Sequence, residues 1–160
     1  MQVTRTQVMI PIVFVAILIQ VHLPIYFDIL GHFDLALLMV IYIASTRLSV
    51  LSALGVGMLI GIVQDSLTAG PIGVFGILKV VTAYLTATVR RFIEVDLIVV
   101  RVLLTATLVI IHQLMFWLIK SVLLGDEIEI DTLETLILAI LHAGIAILLF
   151  KALDHFPKKL

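Results

Sequence analysis

Six apolar runs, each closed by a polar cluster, a glycine or a proline, occupy most of the chain, at about 7–23, 33–45, 48–63, 72–89, 97–119 and 132–150. These runs dictate the solvent. Of the 160 residues 62% are apolar and 13% charged, against roughly 45–50% and 25% in a soluble domain, so there are too few polar side chains to cover a globule in water. Lipid is the solvent such a composition fits. A spanning helix takes about 20 residues, so six of them leave short loops, short tails and no room for a soluble catalytic domain. The runs lack the period-two alternation of a barrel, and lipid cannot satisfy an open strand edge, so the spans are expected to be helical. The expected fold class is an all-α integral membrane protein, a six-transmembrane-helix bundle making one domain over residues 1–160.

The second and third runs carry Arg47 between them. As one long helix they would hold a lone guanidinium at mid-bilayer, at a cost of about 2.5–3.5 kcal/mol or more. A turn at Thr46-Arg47-Leu48-Ser49 brings it to the interface instead, and a hairpin is expected. Charge sidedness agrees. Arg5 precedes the first run and Lys151, Lys158 and Lys159 follow or close the last, while Arg47, Arg90, Arg91 and Arg101 flank the intervening turns on the same side. The opposite side holds Lys120 together with Asp28, Asp65, Asp126, Glu127, Glu129 and Asp131. By the positive-inside rule both termini are expected to be cytoplasmic, in a multi-pass membrane protein. The first run has no small-residue cleavage site and is expected to be retained as a span. The second run, rising only about 20 Å, needs either a thinned bilayer or shielding by protein, and shielding would also accommodate Asp34 at its outer start.

The most informative stretch is 55–91. Ala53, Gly57, Gly61 and Asp65 recur every four residues, and Gly57-Met58-Leu59-Ile60-Gly61 is a small-xxx-small motif that admits a close helix neighbour. Two uses fit it: packing inside the chain, or an interface for a partner. A polar loop follows, with Gln64, Asp65, Gly70, Pro71 and Gly73, in which Pro71 suits the first turn of the fourth span. Lys79 is the one clearly intramembrane charge, and it shares a face with Thr82, Ala83, Thr86 and Arg90. Its long stem lets the ammonium rise toward Asp65. A buried ion pair with Asp65, with the threonines bonded to their own backbone, is one reading; recognition of a ligand or a partner's carboxylate is the other.

A second polar stripe, Arg101, Thr105, Leu108 and His112, marks the fifth span, with Trp117 and Lys120 as interfacial anchors. His112 and His142 lie inside the fifth and sixth spans without ligand spacing, so they are expected to be hydrogen-bonded structural residues and no metal is assigned. There is no cysteine, which excludes thiol chemistry. Phosphate loops, nucleophile elbows and dinucleotide fingerprints are missing, the basic residues sit at helix ends, and no catalysis, cofactor or nucleic-acid binding is expected.

The stretch Gly61-Ile62-Val63-Gln64-Asp65-Ser66-Leu67-Thr68-Ala69-Gly70-Pro71-Ile72-Gly73, followed by Val81-Thr82-Ala83-Tyr84-Leu85, resembles the signature of the MreD family of rod shape-determining membrane proteins. The matching positions are Gly61, Gln64, Asp65, Gly70, Pro71, Gly73 and Tyr84, with the glycine before Pro71 one residue closer than usual. Asp34-Leu35-Ala36-Leu37-Leu38 is similar to the family's opening of a span, with Phe33 where proline is usual. The resemblance implies a non-catalytic inner-membrane component of the elongasome, beside an MreC-like single-span protein linked to the MreB cytoskeleton. It further implies regulation of peptidoglycan synthesis by RodA and penicillin-binding protein 2, and a fold similar to substrate-binding S components of energy-coupling-factor transporters. The alternative is such an S component, with Asp65 and Lys79 lining a vitamin pocket. Against it, the first span has only Ala16 where an Ala-xxx-Ala docking pattern is typical.

Overall fold

The computed structural model describes residues 5–22, 33–46, 49–68, 71–125 and 131–155. Among these the chain forms six α-helices and no strand: α1 (Arg5–His22), α2 (Leu35–Ser45), α3 (Val50–Leu67), α4 (Val74–Val89), α5 (Ile98–Leu118) and α6 (Thr132–Asp154). The last turn of α5 widens into a π-helical segment, Ile119–Leu123. Three helices, α3, α5 with its π segment, and α6, are long and apolar enough to cross a membrane, while α1, α2 and α4 supply shorter apolar stretches. The fold is thus that of an all-helical chain with membrane-compatible helices.

The expected hairpin between the second and third runs is present. Thr46 closes α2, and Ser49 opens α3 by accepting the Ser52 amide on its hydroxyl; Arg47 lies outside the described residues. Two expected boundaries are corrected. Gln64 and Asp65 are not loop residues but lie in the last turns of α3, which continues to Leu67. Pro71 precedes α4 rather than entering its first turn; Gly73, at φ +105°, is the N-cap, a left-handed conformation that glycine adopts without a Cβ penalty.

α2 is the centre of the molecule. Eight of its 11 residues are buried, Ala36 to Tyr42 and Ala44, so this helix of about 16 Å is shielded by protein and need not meet lipid. Its Leu37, Leu38, Met39, Ile41 and Tyr42 join one apolar cluster with Leu108 and Val109 of α5 and with Ala139, Ala146 and Phe150 of α6. Ala36, Val40 and Ala44 join a second, with Ile17 of α1, Ala53 and Ile60 of α3, and Ala83 and Ala87 of α4.

Polar contacts hold both ends of α2. At its N-terminal end Gln20 of α1 accepts the Ala36 amide at 2.9 Å, and Asp34 reaches α4 and α6. At its C-terminal end the Tyr42 hydroxyl donates to Asp154 of α6 at 3.0 Å. Asp154 also accepts from Arg101 of α5 at 2.6 Å, and Arg101 further contacts Asp96 at 3.1 Å and the Val95 carbonyl at 3.0 Å. Met9, near the start of α1, joins Tyr42, Phe150 and Leu153, near the ends of α2 and α6, in the first apolar cluster.

Candidate functional site

Asp34 and Lys79 organise a buried polar cluster. Asp34 caps α2, its Oδ1 accepting the Leu37 amide at 2.7 Å. This meets one of the amides a helix start leaves unpaired. Its other oxygen, Oδ2, accepts from Lys79 Nζ at 2.6 Å. Lys79 sits five residues into α4, about 8 Å from its first residue, fully buried, with its ammonium 5.2 Å from the centroid of the Phe75 ring. α2 begins at this depth, which is why its N-cap, 45 positions away in the chain, meets the lysine.

The two histidines complete the cluster. The Asp34 amide donates to His142 Nε2 at 3.0 Å, and His142 Nδ1 lies 2.7 Å from the Leu138 carbonyl. Nε2 therefore accepts and Nδ1 carries the proton, with the ring stacked on Phe33 at 4.2 Å. His112 Nε2 stands 3.8 Å from Asp34 Oδ2, beyond hydrogen-bonding reach. The carboxylate already holds an ammonium and His142 Nε2 a backbone amide. Among the described residues, no three such side chains form a metal-binding group.

Beside the cluster lies a cavity of about 80 Å³, bordered by Gln20, Asp34, Gln64, His112, Gln113 and His142 and walled by Phe33, Phe75 and Phe116. Gln64 Oε1 and His112 Nε2 are buried there and have no hydrogen-bond partner among the described residues.

Asp65 has a different task from the one expected. Its Oδ2 accepts the amides of Gly73 at 2.9 Å and Gly76 at 3.0 Å, and its Oδ1 accepts the Phe75 amide at 3.0 Å. A carboxylate at the end of α3 thus caps the start of α4, where orphan amides and the helix dipole favour negative charge. Of the two readings open for Lys79, an internal pair and an external carboxylate, the structure has an internal pair, but with Asp34 and not with Asp65.

Gly57 and Gly61 are also spent inside the chain. A Cβ on Gly57 would lie 2.6 Å from the Lys79 carbonyl oxygen, and one on Gly61 would collide with the backbone of Phe75 and Gly76. The small-xxx-small motif therefore seats α4 on α3, which decides between its two uses in favour of internal packing. Thr82 and Thr86 donate to the Leu78 and Thr82 carbonyls at 2.9 and 2.7 Å, as expected of a stripe turned inward. Pro71 and Tyr84 are exposed, and Gly70 lies outside the described residues.

Of the residues singled out from sequence, the fold brings together Asp34, Lys79 and Gln64, and places Asp65, Gly57, Gly61 and Gly73 in the α3–α4 hairpin. Gln20 and Gln113 were not foreseen at the cavity, nor Tyr42 and Asp154 at the opposite end. Gln20, an isolated polar residue near the end of the first apolar run, was the available signal. No protein-family model, curated protein or solved structure matches the chain.

Proposed function

We propose that the chain is a six-span protein of the bacterial inner membrane with both termini cytoplasmic, and that it is a non-catalytic component of the cell-elongation machinery. In this reading it contributes to rod shape by docking an MreC-like single-span protein, with the MreB cytoskeleton reached indirectly, and by regulating RodA and penicillin-binding protein 2. The observation that carries the reading is the α3–α4 hairpin. Gly61, Asp65 and Gly73, three of the seven positions that match the MreD signature, work there as one unit: close approach, cap and turn. A hairpin ordered from within presents Met58, Leu59, Ile77 and Tyr84, each half exposed or more, to other membrane helices without a further ordering cost.

Co-purification of an MreC-like protein with the tagged chain, and rounding of rod-shaped cells on its depletion, are the expected results. Unchanged rods and no such partner would refute the proposal. Topology has its own test, helped by the lack of cysteine. A cysteine at Ile93, in the α4–α5 turn, should react only from the cytoplasm, and one at Leu124 only from outside.

The polar cavity favours a second reading, an S component that binds a vitamin. Its volume of about 80 Å³ weighs against this, because ligand pockets typically run to about 300–1,000 Å³. Stoichiometric vitamin binding with normal shape on depletion would reverse the preference.

A further inference from the structure

Most buried polar groups in this fold are paired, which makes the exceptions at the cavity informative. Gln64 is 1% exposed and His112 5%, yet Gln64 Oε1 and His112 Nε2 find no partner among the described residues, and both residues border the same cavity. They come from α3 and α5, so one occupant can meet both. We propose that this cavity is a binding site for a small neutral molecule of the carboxamide class, held between Gln64 and His112.

Charge selects a neutral occupant. Asp34 and Lys79 compensate each other at 2.6 Å, and both carboxylate oxygens are committed, Oδ1 to Leu37 and Oδ2 to Lys79. An anion would face Asp34 with no Lys or Arg among the described residues that border the cavity, and a cation would have to compete with the ammonium already in place. Either would cost more to bury than a neutral group.

Hydrogen bonding selects an amide. A carboxamide carries a donor and an acceptor on adjacent atoms, so it satisfies Gln64 in either orientation of that side-chain amide and His112 in either tautomer. With His112 protonated at Nε2, the ligand carbonyl accepts there while its N–H donates to Gln64 Oε1. Size restricts the rest. One water needs roughly 10–15 Å³ on the scale by which this cavity holds about 80 Å³, so an amide with a short alkyl group fits and a vitamin does not. Phe33, Phe75 and Phe116 supply an apolar wall for that alkyl group.

The site requires nothing of the docking role, and co-purification with a partner is unaffected by its failure. The test uses the full chain in lipid nanodiscs and three probes of one shape: acetamide, acetate and acetamidinium. Saturation-transfer NMR titrations should give a saturable response to acetamide and at least tenfold weaker responses to the two ions. Gln64→Leu, and separately His112→Phe, should weaken acetamide at least tenfold. Equal responses to the three probes, an acetamide signal that never saturates because the cavity holds only water, or undiminished binding in a folded Gln64→Leu protein would overturn the proposal. The comparison of the three probes on the unsubstituted chain decides the matter even if neither variant folds.

Discussion

Lys79→Met keeps the apolar stem of the side chain and removes the ammonium that lies 2.6 Å from Asp34 Oδ2. The carboxylate left behind belongs to a residue only 7% exposed, and stranding one member of a buried pair costs about 3–5 kcal/mol. Asp34→Asn is the matching change. Asparagine caps helices as well as aspartate does, so the bond from the Leu37 amide is retained and the loss is chiefly that of charge; the price is a fully buried, unpaired Lys79. Removing both charges strands neither, since buried ion pairs replaced by neutral groups are often close to neutral in stability. The double variant should therefore be no less stable than either single one, a coupling of at least about 3 kcal/mol in the cycle.

Reversible unfolding in mixed micelles, followed by helical circular dichroism, measures all four proteins. Additive losses would refute the pairing. A parallel cycle with Asp65→Asn separates the two candidate partners of the lysine. Asp65 is held by three backbone amides, so its coupling to Lys79 should be several-fold smaller than that of Asp34. A larger coupling to Asp65 would overturn the geometry described above.

Gly61→Ala forces a methyl group into the backbone of Phe75 and Gly76 and should cost about 1–3 kcal/mol as overpacking. Gly55→Ala, where nothing lies within 4 Å, should instead stabilise α3 by up to about 1 kcal/mol, and thermal melts of the two variants compare them directly. Asp65→Ala strands the amides of Gly73, Phe75 and Gly76 and should cost about 3 kcal/mol or more, seen as early hydrogen exchange at the start of α4. Gly73→Ala, at φ +105°, should cost about 1–3 kcal/mol. Arg101→Met removes charged hydrogen bonds to Asp154 and Asp96 and should cost about 1.5–3 kcal/mol, with Asp154→Asn adding much less than its own single effect.

Much of the fold was legible because its signals are local. Apolar runs mark helices whatever lies beside them, and the break between α2 and α3 follows from the cost of a buried charge together with charge sidedness. The inward face of Lys79, Thr82 and Thr86 follows from helical spacing. The Gln64–Gly73 stretch was recognisable as special, but its division was not. Apolarity ends at Val63, whereas the helix continues through Gln64 and Asp65 to Leu67, because packing against α4 and the cap at Gly73 and Gly76 stabilise turns that composition marks as polar. His112 and His142 were foreseen as structural; only packing shows that one is fully engaged and the other leaves a nitrogen free at a cavity.

The sequence by itself determined the helical class and the approximate positions of six helices, since these depend on residue type and period. For Lys79 it offered Asp65, a ligand or a partner's carboxylate, and Asp34 was not among these. Only the tertiary structure supplied that partner. Asp65 lies above the start of α4, where unpaired amides claim its carboxylate, while the short, buried α2 begins level with Lys79 and brings Asp34 to it. That choice turns on the depth at which α2 sits between its neighbours, a property of how apolar surfaces fill space and not of any residue's position along the chain.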